Sequence, residues 1–324
     1  MRRFSAPRWF EALGSAQGTF VALLLLCAFN AIFTTNFFSW TTWRVNLTQV
    51  STIVIVGVGM TIVIATGGID LSVGSLMAIS AVLAPKIFLS DRFPFEYHWV
   101  GIIVAIVIPI LVAGCFGLFN GLLIARFKIQ PIIATLVLYL GGRGIAQVIT
   151  GGKLRGFHNH DFQGMLQGRV LSIPVQVIMM LVIVAFASWA MSSTTFGRYV
   201  LASGGNESAA RLAGVPVTRI KFAVYAISGL LAGLAGLIVI AINSSADPSL
   251  VGQNMELDAI AAAAVGGTAL AGGRATVVGT LIGALLIQQL RYTLISHGIS
   301  DATTRIVTAV AIVVAVLLQR QQST

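Results

Sequence analysis

Residues 47–66 of the chain read LTQVSTIVIVGVGMTIVIAT, a predominantly apolar run that contains no charged side chain. A helix that crosses a bilayer needs about 20 such residues, so this stretch predicts a membrane-spanning helix. Gly67 and Gly68 follow at once, and a second apolar run begins at Ser72. The two glycines indicate either a tight turn between two full helices or a helix that is broken at membrane depth.

The same pattern recurs along the chain in ten runs. They cover residues 18–38, 47–66, 72–89, 99–124, 131–150, 173–191, 221–242, 257–271, 275–293 and 302–318. The eighth run is short for a full span. Of the 324 residues, 57% are hydrophobic and only 9% are charged, whereas soluble domains carry about 25% charged residues. The sequence therefore predicts an all-α polytopic membrane protein with about ten transmembrane helices, and it excludes a soluble enzyme and a disordered chain.

The distribution of basic residues predicts how the chain sits in the membrane. Eleven lysines and arginines fall in segments on the side of the N-terminus, and six fall on the other side. Because basic residues concentrate in cytoplasmic loops, we expect both termini in the cytoplasm. The sequence then predicts a cytoplasmic segment at 1–17, a single transmembrane domain at 18–319 with an outer loop at 151–172 and an inner loop at 192–220, and a cytoplasmic tail at 320–324.

Motifs that carry chemistry are missing from the sequence. The chain contains no G-x-x-x-x-G-K-[ST] loop, no H-E-x-x-H or C-x-x-C motif and no serine nucleophile elbow. We therefore expect no catalytic residue, no metal site and no cofactor. The spans carry few ionisable residues, which argues against an ion-coupled carrier. The net charge of +10 is explained by the cytoplasmic bias and does not indicate nucleic-acid binding.

The inner loop contains a short segment that predicts an exposed helix. Asn206 is a good N-cap, and Glu207 in the first turn favours a helix over residues 208–213 that Gly214 can end. A soluble partner can hold such a helix in a groove, although the same pattern is typical of an ordinary connector. The candidate contact residues are Gly204, Gly205, Asn206, Glu207, Ala209, Ala210, Arg211 and Gly214.

Polar residues inside the predicted spans are candidates for lining a path through the membrane. Each of them needs a hydrogen-bond partner away from bulk water, and bonding between neighbouring helices would satisfy that need equally well. The candidates are Gln49, Thr61, Asn120, Thr135, Gln147, Gln288 and Gln289.

Acidic residues at two helix starts have two interpretations. Asp70 is either a functional acid or, as we favour, an N-cap of the third helix that bonds the amide of Ser72 or the next residue. Glu256 and Asp258 at the start of the eighth run are similarly expected to be structural. The segments 67–77 and 272–282 also match at five of eleven positions, which indicates either a duplicated two-helix unit or chance in a glycine-rich chain.

Four stretches together resemble the permease subunits of ribose-type ABC importers for simple sugars. They are GGIDLSVGS at 67–75, IATL at 133–136 with GRG at 142–144, the segment 204–214, and 256–273. The resemblance extends over about residues 36–318. The motif residues that we expect to be structural are Gly67, Gly68, Asp70, Ser72, Gly74, Glu256, Asp258, Gly266, Gly267, Gly272 and Gly273.

The resemblance implies an ATP-driven importer of a monosaccharide or similar polyol in a bacterial inner membrane. Two permeases, identical or different, would form the path. Cytoplasmic ATP-binding subunits would hold the loop at 192–220 as a coupling loop and would bind the ATP, so the chain itself needs no cofactor. An extracytoplasmic sugar-binding protein would deliver the substrate. A related permease for branched-chain amino acids and a stand-alone secondary carrier remain the alternatives.

Overall fold

The computed structural model describes residues 8–89 and 98–321, and within these ranges it is almost entirely helical. The helices of the described part are α1 Arg8–Phe33, α2 Trp40–Ala65, α3 Val73–Phe88, α4 His98–Ala125, α5 Pro131–Thr150, α6 His160–Gln167, α7 Val175–Ser193, α8 Thr195–Gly205, α9 Glu207–Leu212, α10 Val217–Asn243, α11 Met255–Val265, α12 Val277–Ser296 and α13 Asp301–Gln321. Four two-residue strands accompany them: β1 Arg155–Gly156, β2 Arg169–Val170, β3 Ile173–Pro174 and β4 Ser245–Ala246.

Six of the described helices are long and apolar enough to cross a membrane, namely α2, α4, α5, α7, α10 and α12. The predicted all-α polytopic membrane fold is therefore confirmed. The eighth predicted span, 257–271, is shorter than expected, because α11 ends at Val265 and Gly266 begins a turn. Its 11 residues reach only about 16 Å at 1.5 Å per residue, roughly half of a 30 Å hydrocarbon core.

Helix α2 forms the centre of the bundle. All of its residues from Val50 to Ala65 are buried, as expected for a helix that is apolar on every face. It packs against α10, α11 and α12. Helix α10 approaches α4 closely, because Gly117 and Gly229 face each other and let the two backbones touch. The turn between α2 and α3 is tight, with Gly67 at φ +78°, so α2 is a full helix and not a broken one.

The loops at one end of the bundle form a small folded cap. Strand β1 pairs antiparallel with β4, so that Arg155 lies opposite Ala246, and β2 pairs with β3 in a hairpin. Helix α6 covers this region and buries Phe162 against the rings of Phe88 and Phe157. We refer to this end of the molecule as the α6 end.

The opposite end, which we call the α9 end, holds α8, α9 and the turns α2–α3 and α11–α12. Helix α9 forms where the sequence predicts it, one residue earlier at each boundary. Helix α8 is a feature that the sequence analysis missed, because its 11 residues are too few and too polar to stand out as a span.

Candidate functional site

Helix α9 is fixed by its own first turn. The side chain of Asn206 accepts a hydrogen bond of 2.9 Å from the amide of Ala209, which confirms the predicted N-cap. The side chain of Ala210 lies on the inner face of α9 and is buried. The helix ends at Leu212, and Gly214 reverses the chain with φ +81°.

Glu207 connects α9 to the start of α10. Its carboxylate accepts hydrogen bonds from Arg211 at 2.7 Å and from Lys221 at 2.6 Å. Burial alone would raise the pKa of Glu207, but the hydrogen bonds from Lys221 and Arg211 outweigh burial and hold the pKa below its usual value. The carboxylate therefore stays ionised at neutral pH and keeps α9 tied to α10.

Leu212 is the residue of α9 that sequence reasoning missed. Its side chain is 91% exposed, on a helix whose other apolar members are small. A cavity of about 510 Å³ lies between the end of α9 and the start of α10, lined by Arg211, Val215, Pro216, Val217, Thr218 and Arg219. A short exposed helix of this kind is a surface that a partner protein can hold in a groove.

Five glycines bring α8 into direct contact with both turns at the α9 end. We call this contact the glycine junction, and its members are Gly67, Gly204, Gly205, Gly272 and Gly273. The amide of Gly273 donates a hydrogen bond of 3.0 Å to the carbonyl oxygen of Ala65 at the end of α2. Helix α8, the α2–α3 turn and the α11–α12 turn are thereby joined backbone to backbone.

Three positions of the glycine junction admit only glycine. One is Gly273, which has φ +75° and where a Cβ atom would lie 2.9 Å from the Cα of Gly205. A Cβ atom on Gly204 would overlap the carbonyl oxygen of Ala65. Gly272 has φ +88°, and a Cβ atom there would lie 2.8 Å from the amide nitrogen of Gly67 and 2.9 Å from the carbonyl oxygen of Gly204. By contrast, a Cβ atom on Gly205 would meet only the Cα of Gly273 at 4.0 Å.

Asp70 lies fully buried behind the α2–α3 turn and has structural partners. Its Oδ1 accepts from the amide of Ser72 at 3.0 Å and from the Ser72 hydroxyl at 2.6 Å, and its Oδ2 accepts from the hydroxyl of Ser228 at 2.8 Å. The predicted bond to the Ser72 amide is confirmed. The predicted position as N-cap is wrong, because α3 begins at Val73 and Ser72 itself occupies that position. The carboxylate instead links the turn to α10.

The other motif residues lie where helices or turns approach closely. Side chains on Gly68 or Gly74 would overlap Tyr225 Oη or the carbonyl oxygen of Gly252. Gly266 packs against Gly279, and Gly267 adopts φ +90°. The remaining two, Glu256 and Asp258, occupy the first turn of α11, where Glu256 is buried beside Gly74.

Three path candidates bond to neighbouring segments. Thr61 on α2 pairs with Thr280 on α12 at 2.6 Å. Asn120 donates to the hydroxyl of Ser72 at 2.9 Å, and Thr135 accepts from the amide of Leu71 at 3.2 Å. Their side chains are buried, and their hydrogen bonds hold helices and turns together.

Two further path candidates, Gln147 and Gln289, do not line a cavity with the other candidates in the described part of the chain. Gln147 lies at an exposed position and donates to Ser249 at 3.2 Å. Gln289 is buried in α12, on the side of Thr293.

Gln49 and Gln288 come together in a polar cavity at the α6 end. The amide of Gln288 donates to Gln49 at 2.7 Å and to Asn46 at 3.3 Å. The cavity has a volume of about 710 Å³, within the usual range for small-molecule sites. Its lining residues are Thr41, Thr42, Val45, Asn46, Thr48, Gln49, Thr52, Ile53, Val239, Ile242, Asn243, Met255, Asp258, Gln288, Arg291, Tyr292, Ile295 and Asp301.

The polar cavity ends midway along α2. Ile53 is the last α2 residue that lines it, and residues 54–65 beyond it are buried. The Thr61–Thr280 contact and the glycine junction then follow in the direction of the α9 end. The bundle is therefore open from the α6 end and closed toward the α9 end.

A multi-helix membrane bundle with a closed-ended polar cavity at one end and a capped helix at the other is the arrangement expected of a permease-type transport subunit. Residues 45–316 match the family described as branched-chain amino acid transport system / permease component. The chain belongs to this family of transport permeases, and it is a transport subunit rather than an enzyme.

Three relatives illustrate the family. The ribose import permease protein of Escherichia coli (strain K12) is 40% identical over 99% of the chain and 97% of its own length. The galactofuranose transporter permease protein of the same organism is 37% identical over 85% of the chain and 79% of its length. The fructose import permease protein of Bifidobacterium longum (strain NCC 2705) is 34% identical over 92% of the chain and 86% of its length.

Proposed function

We propose that the chain is the membrane-spanning permease subunit of an ATP-driven importer for a monosaccharide or a similar polyol. The observation that carries this proposal is the near full-length similarity to the ribose import permease, with permeases for two other sugars among the relatives. The protein is a multi-pass protein of the bacterial inner membrane. The polar cavity supports an uncharged substrate, since amide and hydroxyl side chains dominate its polar wall.

We also propose how the chain is arranged in the membrane. Ten spans with α11 as a partial one, and both termini in the cytoplasm, would place the α9 end in the cytoplasm and the α6 end outside. A second permease, identical or different, would complete the path, and lipid would surround the pair. An extracytoplasmic sugar-binding protein would dock on the α6 end. We expect no metal, nucleic acid or cofactor of the chain's own.

The energy would come from separate ATP-binding subunits that hold the coupling loop at 192–220. Support comes from the exposed position of α9, from its exposed Leu212 and from the ion pairs of Glu207 with Arg211 and Lys221. The glycine junction extends this argument, because a force on α9 reaches α8 and then both turns through backbone contacts. We therefore expect α8, α9 and the two turns to move as one unit.

The substrate path would begin in the polar cavity, where Gln49 and Gln288 are the path residues that the structure supports. Thr61, Asn120 and Thr135 are better explained as helix-bonding residues, and Gln147 and Gln289 remain predictions. A branched-chain amino acid permease is not favoured, because the relatives with near full-length similarity are permeases for ribose, galactofuranose and fructose.

The direct test is co-purification of a P-loop ATPase with the chain, followed by uptake of D-ribose, D-fructose and D-galactose into vesicles that are supplied with the sugar-binding protein. We expect uptake of at least one sugar that requires both the ATPase and ATP. Uptake that persists at the same rate without any ATPase contradicts the proposal and favours the stand-alone carrier.

A matched pair of variants tests the coupling loop. Leu212→Asp changes a side chain that is 91% exposed, so we expect normal folding with loss of the co-purifying ATPase. Leu250→Asp is the control, since Leu250 is 63% exposed at the opposite end and should leave ATPase binding unchanged. Equal ATPase recovery with both variants would remove α9 from the contact.

A further inference from the structure

We infer that the ion pair between Asp258 and Arg291 in the polar cavity is a binding site for a vicinal pair of sugar hydroxyl groups. The inference rests on the proposed function and assigns a role to two residues that sequence reasoning did not place in the path. One guanidinium nitrogen of Arg291 lies 2.6 Å from Asp258 Oδ1 and the other lies 3.2 Å from Oδ2.

The pair keeps hydrogen-bonding capacity that faces the cavity. A guanidinium group carries five N–H donors and a carboxylate offers about four acceptor positions, and the two-point contact uses two of each. Both side chains are only partly buried, with 28% of Arg291 and 22% of Asp258 exposed. A hydroxyl group can therefore donate to the carboxylate while its neighbour accepts from the guanidinium group.

A purely structural role for the Asp258–Arg291 pair explains its position in the cavity wall less well. Asp258 lies in the first turn of α11, where a carboxylate is favourable, and the pair does connect α11 to α12. However, a partly exposed ion pair of this kind contributes little to stability. The other ion pairs of the described residues lie within one helix or join α9 to α10 at the far end. This pair alone among them joins two helices across the wall of the cavity.

The neighbours of the ion pair complete a site of sugar size. Gln288 lies one turn before Arg291 on α12, so both side chains are on the same face. Its amide nitrogen is held by Asn46 and Gln49, which orients its oxygen. Tyr292 adds an aromatic ring to the same wall. Donors, acceptors and an apolar ring side by side are the groups that a neutral polyol can use together.

The charge of the site selects against charged substrates. Asp258 and Arg291 cancel, and Asp301 at the rim is paired with Arg305 at 2.8 Å, so these charges sum to zero. A sugar phosphate would gain an attraction to Arg291 and a repulsion from Asp258. A neutral diol satisfies both groups without leaving a charge unmatched.

The test measures sugar binding to the full-length protein in nanodiscs by saturation-transfer difference NMR, with D-ribose and D-fructose as probes. We expect binding by the wild type, and weakening by about tenfold or more for Asp258→Asn, since a hydrogen bond to a charged group is lost. Arg126→Gln is the control, because it removes an exposed charge in the loop that follows α4, at the opposite end, and should leave sugar binding unchanged.

A charge exchange, Asp258→Arg with Arg291→Asp, separates binding from structure. We expect the exchange to restore the thermal stability lost in the single variants, and not the sugar binding. Recovery of both properties, or unaltered binding in a stably folded Asp258→Asn protein, overturns the inference. Absence of any signal from the wild type also overturns it, whereas the proposed function fails separately, through the ATP-dependent uptake assay.

Discussion

The polar cavity and the glycine junction lie at opposite ends of the same helix and differ in nearly every physical respect. In the cavity, long polar side chains of α2 and α12 surround open space of about 710 Å³. At the junction, three chain segments touch through backbone atoms, and a single added Cβ atom at Gly204 has no room. The polar cavity suits a small polar molecule. The glycine junction suits the transmission of a movement from one chain segment to the next, because backbone contacts cannot repack as side chains do.

Helix α2 connects the two regions. Its first half lines the cavity as far as Ile53, and its second half is buried up to Ala65, whose carbonyl oxygen receives the bond from Gly273. A shift of the glycine junction therefore acts directly on a wall of the cavity. The following substitutions test whether the polar cavity tolerates changes of side chain that the glycine junction does not.

The largest effect is expected at the junction from Gly204→Ala. Overpacking of a close contact costs about 1–3 kcal/mol, and the clash is with backbone that cannot rotate away. We expect a marked fall in the thermal unfolding temperature and loss of ATP-linked uptake. Gly205→Ala is the matched control and should behave like the wild type; equal behaviour of the two variants would show that the junction is not tightly packed.

A loss of stability of similar size, without a backbone clash, is expected from Ser228→Ala. The substitution removes the donor to Oδ2 of the buried Asp70, and an unpaired buried acceptor costs about 1–3 kcal/mol. Thermal unfolding in detergent measures it. Ser192→Ala, at an exposed hydroxyl near the end of α7, serves as the comparison, and equal unfolding temperatures would contradict the role given to Asp70.

In the cavity, Gln288→Ala should change function more than stability. The variant loses the bonds to Gln49 and Asn46, in a region where water can replace them. We expect the unfolding temperature to stay near that of the wild type and sugar uptake to fall several-fold. Gln289→Ala changes the adjacent residue, which points away from the cavity, and a similar fall in uptake there would argue against the cavity as the path.

The smallest effect is expected from Glu207→Gln, because the pairs with Arg211 and Lys221 are partly exposed and such pairs contribute little. The pKa of Glu207 is lowered on folding, so its contribution is present above the usual glutamate pKa of about 4.3 and is lost as the pH falls through the folded value. Unfolding curves of the wild type and the variant should differ slightly at pH 7 and converge in acid. A difference that grows on acidification would contradict this assignment.

Much of the fold could be predicted from local pattern, and much of the site could not. Apolar runs of membrane length identify α2, α4 and α10, and a capping residue identifies α9, because both signals lie within a few neighbouring residues. The junction joins Gly67, Gly204 and Gly272, which are far apart in the chain, so only the packed structure shows that they touch. The same holds for Asp70 with Ser228 and for Asp258 with Arg291. Pairings between helices depend on rotation and register, which composition and periodicity leave open.

The central claim is that α8, α9 and the two turns move as one unit while the polar cavity changes shape. Spin labels at Tyr199 on α8 and at Leu270 in the α11–α12 turn report on the α9 end, and labels at Val45 and Ile295 report on two walls of the cavity; all four side chains are exposed. Pulsed electron paramagnetic resonance on the assembly with its ATPase would compare distances with and without a non-hydrolysable ATP analogue. We predict an unchanged Tyr199–Leu270 distance and a changed Val45–Ile295 distance. A change between Tyr199 and Leu270 with a constant width of the cavity would contradict the account.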